Sequence, residues 1–277
     1  MALTQIIILS LLQGLTEFLP VSSSGHLILL SKFSNFTDQG ALMDVALHIG
    51  SVAAVILYFY KTLWNMICDV VKTKLLPNFK YDGCRLFYLL LVATVPALIA
   101  GAALKFYGLE WLRNTKLIGW NILIYGIILW AVDRWAITVV NIRNLKLSDA
   151  LLIGLAQCLA LLPGTSRSGV TITAARFLGM ERREAAKFSM LLAVPTILAA
   201  GAVSAYEIWQ GGDAGFISDA ISAVGYSFVF SLAAIFLMME WLKKWSFLPF
   251  VIYRVALGIV LLLDAYGIYE LPRLINL

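Results

Sequence analysis

Two short stretches of this chain combine residues that could do chemistry with surroundings that are otherwise greasy. Between Gln13 and His26 lie a carboxylate (Glu17), three consecutive hydroxyls (Ser22, Ser23, Ser24), Gly25 and an imidazole (His26). They sit within an apolar run from Ile6 to Leu30. The second stretch, Pro163 to Gly169, carries Thr165, Ser166, Arg167 and Ser168. An ionisable group at membrane depth is costly, so its default reading is functional. Arg167 offers a planar fork of donors suited to phosphate oxygens. Broken helices leave free backbone N–H groups that favour anions, and serine hydroxyls add neutral donors. A nucleophile needs a base or a lowered pKa beside it; Ser23 or His26 could fill that role. Glu17 could orient the imidazole, act as a base, or hold a divalent cation that clamps a diphosphate. Together these parts describe a phosphoryl-transfer or phosphate-binding site.

Plainer uses compete with that reading. Ser22, Ser24, Thr165 and Ser168 could serve only close packing or backbone capping. Glu17 could be a proton-relay or ion site, Arg167 a carbonyl binder, and His26 a helix-end hydrogen bonder. His48, four residues after Asp44 on one helix face, reads more readily as a satisfied interhelical histidine than as a ligand. Arg182 and Arg183, flanked by Glu181 and Glu184, read as a solvated helix start.

The elements that must position these groups are membrane helices. Of 277 residues, 61% are hydrophobic and 13% charged, against about half and about a quarter in soluble domains. The apolar runs are long and continuous, which favours helices over a barrel. Cys68, Cys84 and Cys158 have neither disulfide nor zinc spacing. The net charge of +5 is no nucleic-acid signal, because the basic residues fall in short loops between spans. The first apolar segment lacks a basic leader and continues into the polar motif, so it reads as mature protein.

Six spans are expected, at about 41–60, 86–104, 117–132, 188–206, 220–242 and 247–269. Residues 61–85 read as a loop, as do 31–40, 105–116 and 211–219. Pro96 and Gly101 mark an expected kink and close-packing point in the second span. The polar stretches interrupt two further segments, 3–30 and 150–178. Pro20 and Gly25 break any helix around the serines. The apolar arm 150–162 is too short to cross alone. A broken backbone at membrane depth survives only inside protein or along a wet cavity, so each segment is expected to be a re-entrant helix pair.

A shift of 144 residues aligns the two segments: Gln13 with Gln157, Leu15 with Leu159, Ser22 with Ser166, Ser24 with Ser168, Gly25 with Gly169. Each is followed by three spans. The chain is therefore expected to be one membrane domain, 1–277, of two repeats, about 1–137 and 147–277, in inverted topology. With both pairs re-entrant, loops 61–85, 134–148, 176–187 and 243–254 share a side and hold 15 Lys and Arg; the other side holds 5. The positive-inside rule places the larger group in the cytoplasm. The two tips then arrive from opposite faces and can meet near the midplane, around one common anion.

The run from Gln13 to His26, taken with Pro163 to Gly169, resembles the undecaprenyl-diphosphate phosphatase (bacitracin-resistance) family, over essentially the whole chain. The resemblance implies an all-α integral membrane protein with six transmembrane helices plus two re-entrant helix pairs in inverted-topology repeats. It also implies hydrolysis of undecaprenyl diphosphate to the monophosphate and inorganic phosphate, in the bacterial inner membrane, recycling the cell-wall lipid carrier. The family is usually dimeric, works among membrane lipids with an active site open to the periplasm, and is supported by Mg²⁺ or Ca²⁺. By position, Glu17, Ser23, His26 and Arg167 match its essential residues, with Ser22, Ser24 and Ser166 beside them. Gly25, Thr165 and Ser168 complete the expected substrate contacts. Gln13 stands where some members have a second Glu; it offers a carbonyl oxygen but no charge, leaving Glu17 as the candidate metal ligand. His26 attacking the terminal phosphorus with Ser23 as hydrogen-bond partner is the favoured mechanism, and Ser23 as nucleophile is the alternative. The competing class is a transporter or flippase that binds a phosphorylated lipid without cutting it.

Overall fold

In the computed structural model the described residues are 1–33, 40–107, 112, 114–211 and 214–269. The chain is helical: α1 (Leu3–Thr16), α2 (Ser23–Phe33), α3 (Gly40–Tyr58), α4 (Tyr60–Lys72), α5 (Asp82–Tyr107), α6 (Thr115–Trp135), α7 (Leu147–Cys158), α8 (Arg167–Phe177), α9 (Arg182–Gly211), α10 (Ala214–Trp241) and α11 (Leu248–Ala265). Among the described residues five helices, α5, α6, α9, α10 and α11, are long and apolar enough to cross a bilayer; α3 with α4 makes a sixth if the bent pair counts as one span. α1 and α7 are shorter apolar helices, and each leads into one of the polar tips.

Residues 61–85 are not the expected loop. α4 fills 60–72 and turns 79° from α3. Trp64, Ile67 and Val71 stand exposed along one stripe, while Lys61, Asn65 and Lys72 fall on another. That is an amphipathic pattern, and low net hydropathy hides the helix from a search for spans. Other connections are shorter than expected. α5 continues to Tyr107, and α9 and α10 leave only 212–213 between them. Parts of the connections 31–40, 105–116 and 211–219, together with Arg273, lie outside the described residues.

Close helix contacts need small residues, since lipid tails supply no hydrophobic drive between helices. α1 packs on α10, and α7 packs on α5. A Cβ on Gly14 would come within 2.5 Å of Phe230 Cβ; one on Gly154 would meet the Ala93 carbonyl oxygen at 2.6 Å. Gly101, expected as a close-packing point, makes no close approach among the described residues: a Cβ there would meet only Leu161 Cδ2, at 3.7 Å. Pro96 does lie within α5. The main core is continuous across α3, α5, α7, α9, α10 and α11, with Phe18 of the first tip fully buried in it.

One end of the molecule is tied together by ion pairs. Asp133 at the end of α6 accepts from Arg176 Nε (3.0 Å) and Arg182 Nε (2.8 Å), and from the Phe247 N–H (3.4 Å). Arg143 Nε lies 3.1 Å from Asp82, and Arg85 donates to the Leu145 carbonyl at 2.7 Å. Arg182 is thus an ion-pair partner and not the merely solvated residue expected. The four basic segments expected on one side gather at this end. Asp133→Ala would leave Arg176, only 2% exposed, without its carboxylate. Losing one partner of a buried pair costs about 3–5 kcal/mol. The variant should melt well below wild type in detergent; an unchanged melting curve would rule out a structural role for the pair.

Candidate active site

The two tips share one local structure at aligned positions. α1 ends at Thr16, and the turn through Pro20 brings the chain to Ser22, whose φ is +80°. In the second tip Ser166 has φ +75°. Both are non-glycine residues in the left-handed region, at a cost of about 1–3 kcal/mol each. The serine side chains offset part of it. Ser22 Oγ accepts from the Gly25 N–H (3.3 Å) and Ser166 Oγ from the Gly169 N–H (3.0 Å), capping α2 and α8. Gly164, at φ +88°, makes the turn before Ser166; a Cβ there would strike the Ile118 carbonyl oxygen at 2.6 Å.

Direct contacts join the tips. Ser168 Oγ donates to the Leu19 carbonyl (3.0 Å) and also lies 3.2 Å from Ser166 Oγ. Gly25 faces Gly164. The central tie is Arg254 of α11, fully buried. Its guanidinium donates to five backbone carbonyls: Pro20 in the first tip (3.1 Å), Gly164 (3.2 Å) and Thr165 (3.0 Å) in the second, and Asn121 (3.3 Å) and Ile122 (3.0 Å) in α6. By sequence alone Arg254 counts with a basic loop. Its place six residues inside an apolar helix is the available signal that it serves the interior. Without Arg254 and Arg176 the loop charges still favour the same side.

Where the tips meet, a cavity of about 280 Å³ is lined by Glu17, Ser23, Ser24, His48, Ser166 and Arg167, with an apolar wall from α9. Glu17 is its centre. Oε1 accepts from Arg167 Nη2 at 2.9 Å; Oε2 accepts from Ser23 Oγ at 2.7 Å and Gln13 Nε2 at 3.0 Å, with His48 Nε2 at 3.3 Å. Arg167 is steadied by its Nη1 bond to the Ser189 carbonyl (3.1 Å), and Ser189 Oγ pairs with Thr171 (2.7 Å). His48 Nδ1 lies 2.6 Å from the Asp44 carbonyl. His48 therefore belongs to the site, where its sequence surroundings favour a plain interhelical role. Its spacing to Asp44 is visible in the sequence, but only the packing of α3 beside the first tip brings it to Glu17.

His26 stands apart from this cavity. Its Nδ1 lies 2.7 Å from the Ser22 carbonyl and its Nε2 2.6 Å from the Tyr253 hydroxyl. Ser22, Gly25, Thr165 and Ser168 build the tips and do not line the cavity. Thr165 Oγ1 is buried with no protein partner, as is Gln13 Oε1.

The donor set bears on the metal that the resemblance implies. No three His, Cys, Asp or Glu side chains among the described residues come close enough to share an ion. Both oxygens of Glu17 already face N–H and O–H donors, one of them a guanidinium. Such a set holds an oxyanion; a cation would need those donors turned away. Glu17 and Gln13 as arranged do not fit a resident divalent metal.

The fold and the site define a polytopic helical membrane protein built around a buried cluster in which Arg167, Ser23 and Gln13 donate to Glu17. The family model described as bacitracin resistance protein BacA matches residues 6–260. A protein of Ruegeria pomeroyi named undecaprenyl-diphosphatase is 46% identical over 268 residues, spanning 96% of this chain and all of that one. Proteins of the same name from Jannaschia sp. and Roseobacter denitrificans are 45% and 47% identical, again over 96% of this chain and the whole of each relative. The chain belongs to the BacA family.

Proposed function

We propose that this enzyme hydrolyses undecaprenyl diphosphate to undecaprenyl phosphate and inorganic phosphate at the cavity between the two tips. The observation that carries the reading is the Glu17–Ser23–Arg167 cluster, in which two donors, one from each tip, converge on one carboxylate at hydrogen-bond distance. The terminal phosphoryl group takes the place of the Glu17 carboxylate against Arg167, with Ser23 as second donor. His26 lies three residues after Ser23 on α2, so the two side chains neighbour each other along the helix. Its Nε2 attacks the terminal phosphorus, an N–P bond forms, and the anhydride P–O bond breaks. Undecaprenyl phosphate leaves with that oxygen, and Arg167 neutralises the charge that develops. Water then attacks the phosphorus, the N–P bond returns its electrons to Nε2, and phosphate departs. The 2.7 Å contact of Ser23 with Glu17 favours a second reading, in which Ser23 attacks and Glu17 takes its proton. Acid and alkaline quenches of a ³²P turnover separate them: phosphohistidine survives alkali and is lost in acid, whereas phosphoserine survives acid.

The same geometry supports inverted repeats. Ser22 and Ser166, which align in sequence, share an uncommon backbone conformation and the same cap. The packing of α1 on α10 and of α7 on α5 suits the pseudo-symmetric exchange such repeats require. The gathering of the basic segments at one end, read with the positive-inside rule, supports a cytoplasmic face at that end and substrate access to the cavity from the periplasm. Labelling of a cysteine placed at Lys244 from the cytoplasmic face only would agree. The lipid tail lies among the helices, and a homodimer is the expected assembly.

Mg²⁺ or Ca²⁺ is proposed to come with the diphosphate. Substrate-free protein should show no saturable site for either ion by calorimetry. Gln13→Glu should acquire one, because its new carboxylate would face Glu17 where an amide now donates and give the ion a second charged ligand. An ion site in the substrate-free wild type, or none in the variant, would refute this.

A further inference from the structure

His26 makes a second contact that the proposed chemistry does not use. Its Nδ1 faces the Ser22 carbonyl, which can only accept, so Nδ1 carries the ring proton. In neutral imidazole the lone pair is then on Nε2, the nitrogen 2.6 Å from Tyr253 Oη. Tyr253 must be the donor. The two rings lie nearly parallel, 12° apart with centroids 5.6 Å from one another, an offset that lets the phenol reach the ring edge where the lone pair projects. Tyr253 is itself half-exposed, at 45%. The next residue, Arg254, is fixed by its five carbonyls. α11 thus anchors the tips through one side chain and reaches His26 with its neighbour.

We propose that Tyr253 is a positioning residue that caps the nucleophilic lone pair of His26 in the resting enzyme and must give way to phosphorus at turnover. The proposal rests on the reading of His26 as nucleophile. It accounts for the cavity being lined by Ser23 and Ser24 but not by His26. In the free enzyme the imidazole is held in the attacking tautomer, turned to α11 and shielded from other electrophiles. Arrival of the diphosphate exchanges one partner of Nε2 for another.

Tyr253→Phe removes the hydroxyl and keeps the ring. Diethyl pyrocarbonate, which acylates an imidazole through its free lone pair, reads the effect directly. Peptide mapping of the protein in detergent should show carbethoxylation of His26 about five-fold faster in Tyr253→Phe than in wild type, the scale set by one hydrogen bond. His48, held by Asp44 and Glu17, is the internal reference and should react at its wild-type rate. An unchanged His26 rate overturns the proposal, and so does an equal rise at both histidines, which would mean general loosening. The nucleophile reading fails separately, if His26→Ala releases phosphate at the wild-type rate; the carbethoxylation result does not depend on it.

Discussion

Arg167→Ala should lower phosphate release from undecaprenyl diphosphate by about a thousand-fold or more, with the protein still folded. Arginines that neutralise a transferring phosphoryl group are worth about 10³–10⁵ in rate. Arg167 is the sole Lys or Arg among the described residues lining the cavity. Two contacts hold its guanidinium in place, one arm on the Ser189 carbonyl and the other on Glu17. The folded state should tolerate the change because Glu17 keeps Ser23, Gln13 and His48 as partners. Arg167→Lys restores the charge without the planar fork, so it should recover part of the substrate affinity but little of kcat. A folded Arg167→Ala protein with wild-type turnover would remove Arg167 from the chemistry.

Arg167 also shows what a linear reading can reach. Its surroundings, a serine-rich break in an apolar run, announce an anion site in the bare sequence. So do the break at Pro20 and the paired serines 144 residues apart. These are properties of composition and local spacing, and local structure follows them: Ser22 and Ser166 cap their helices as short polar side chains do. What is not legible depends on packing between distant elements. His48 lies in a span with a sequence like any other, and it joins the site only because α3 runs beside the first tip. The orientation of His26 toward Tyr253 spans 227 residues, and nothing near either residue hints at it. α4 escapes notice for a different reason. Its apolar stripe is narrow and its mean hydropathy low, so a search for spans passes over it.

The same distinction explains why Arg254 falls with the wrong group in a count of loop charges, and why replacing it should have the largest structural effect. A cation deep in an apolar helix is expensive, and swapping a buried charge for a well-packed apolar residue is often neutral. Here the balance differs, because the carbonyls it satisfies belong partly to irregular backbone. Pro20, Gly164 and Thr165 lie outside helices and are buried, where an unpaired carbonyl costs about 1–3 kcal/mol. Arg254→Met keeps most of the volume and removes every donor. The loss to those three carbonyls alone outweighs what relief of desolvation returns, so the melting temperature in detergent should fall by about 8 °C or more. Turnover should fall with it, since Ser23 and Arg167 meet only while the tips are tied. Arg254→Lys, with three donors for five acceptors, should lie between. Were Arg254→Met to melt with wild type yet lose activity, the guanidinium would be acting on the phosphate and not on the backbone; were it to keep both, the tips would be held by Ser168 and the glycine contact alone.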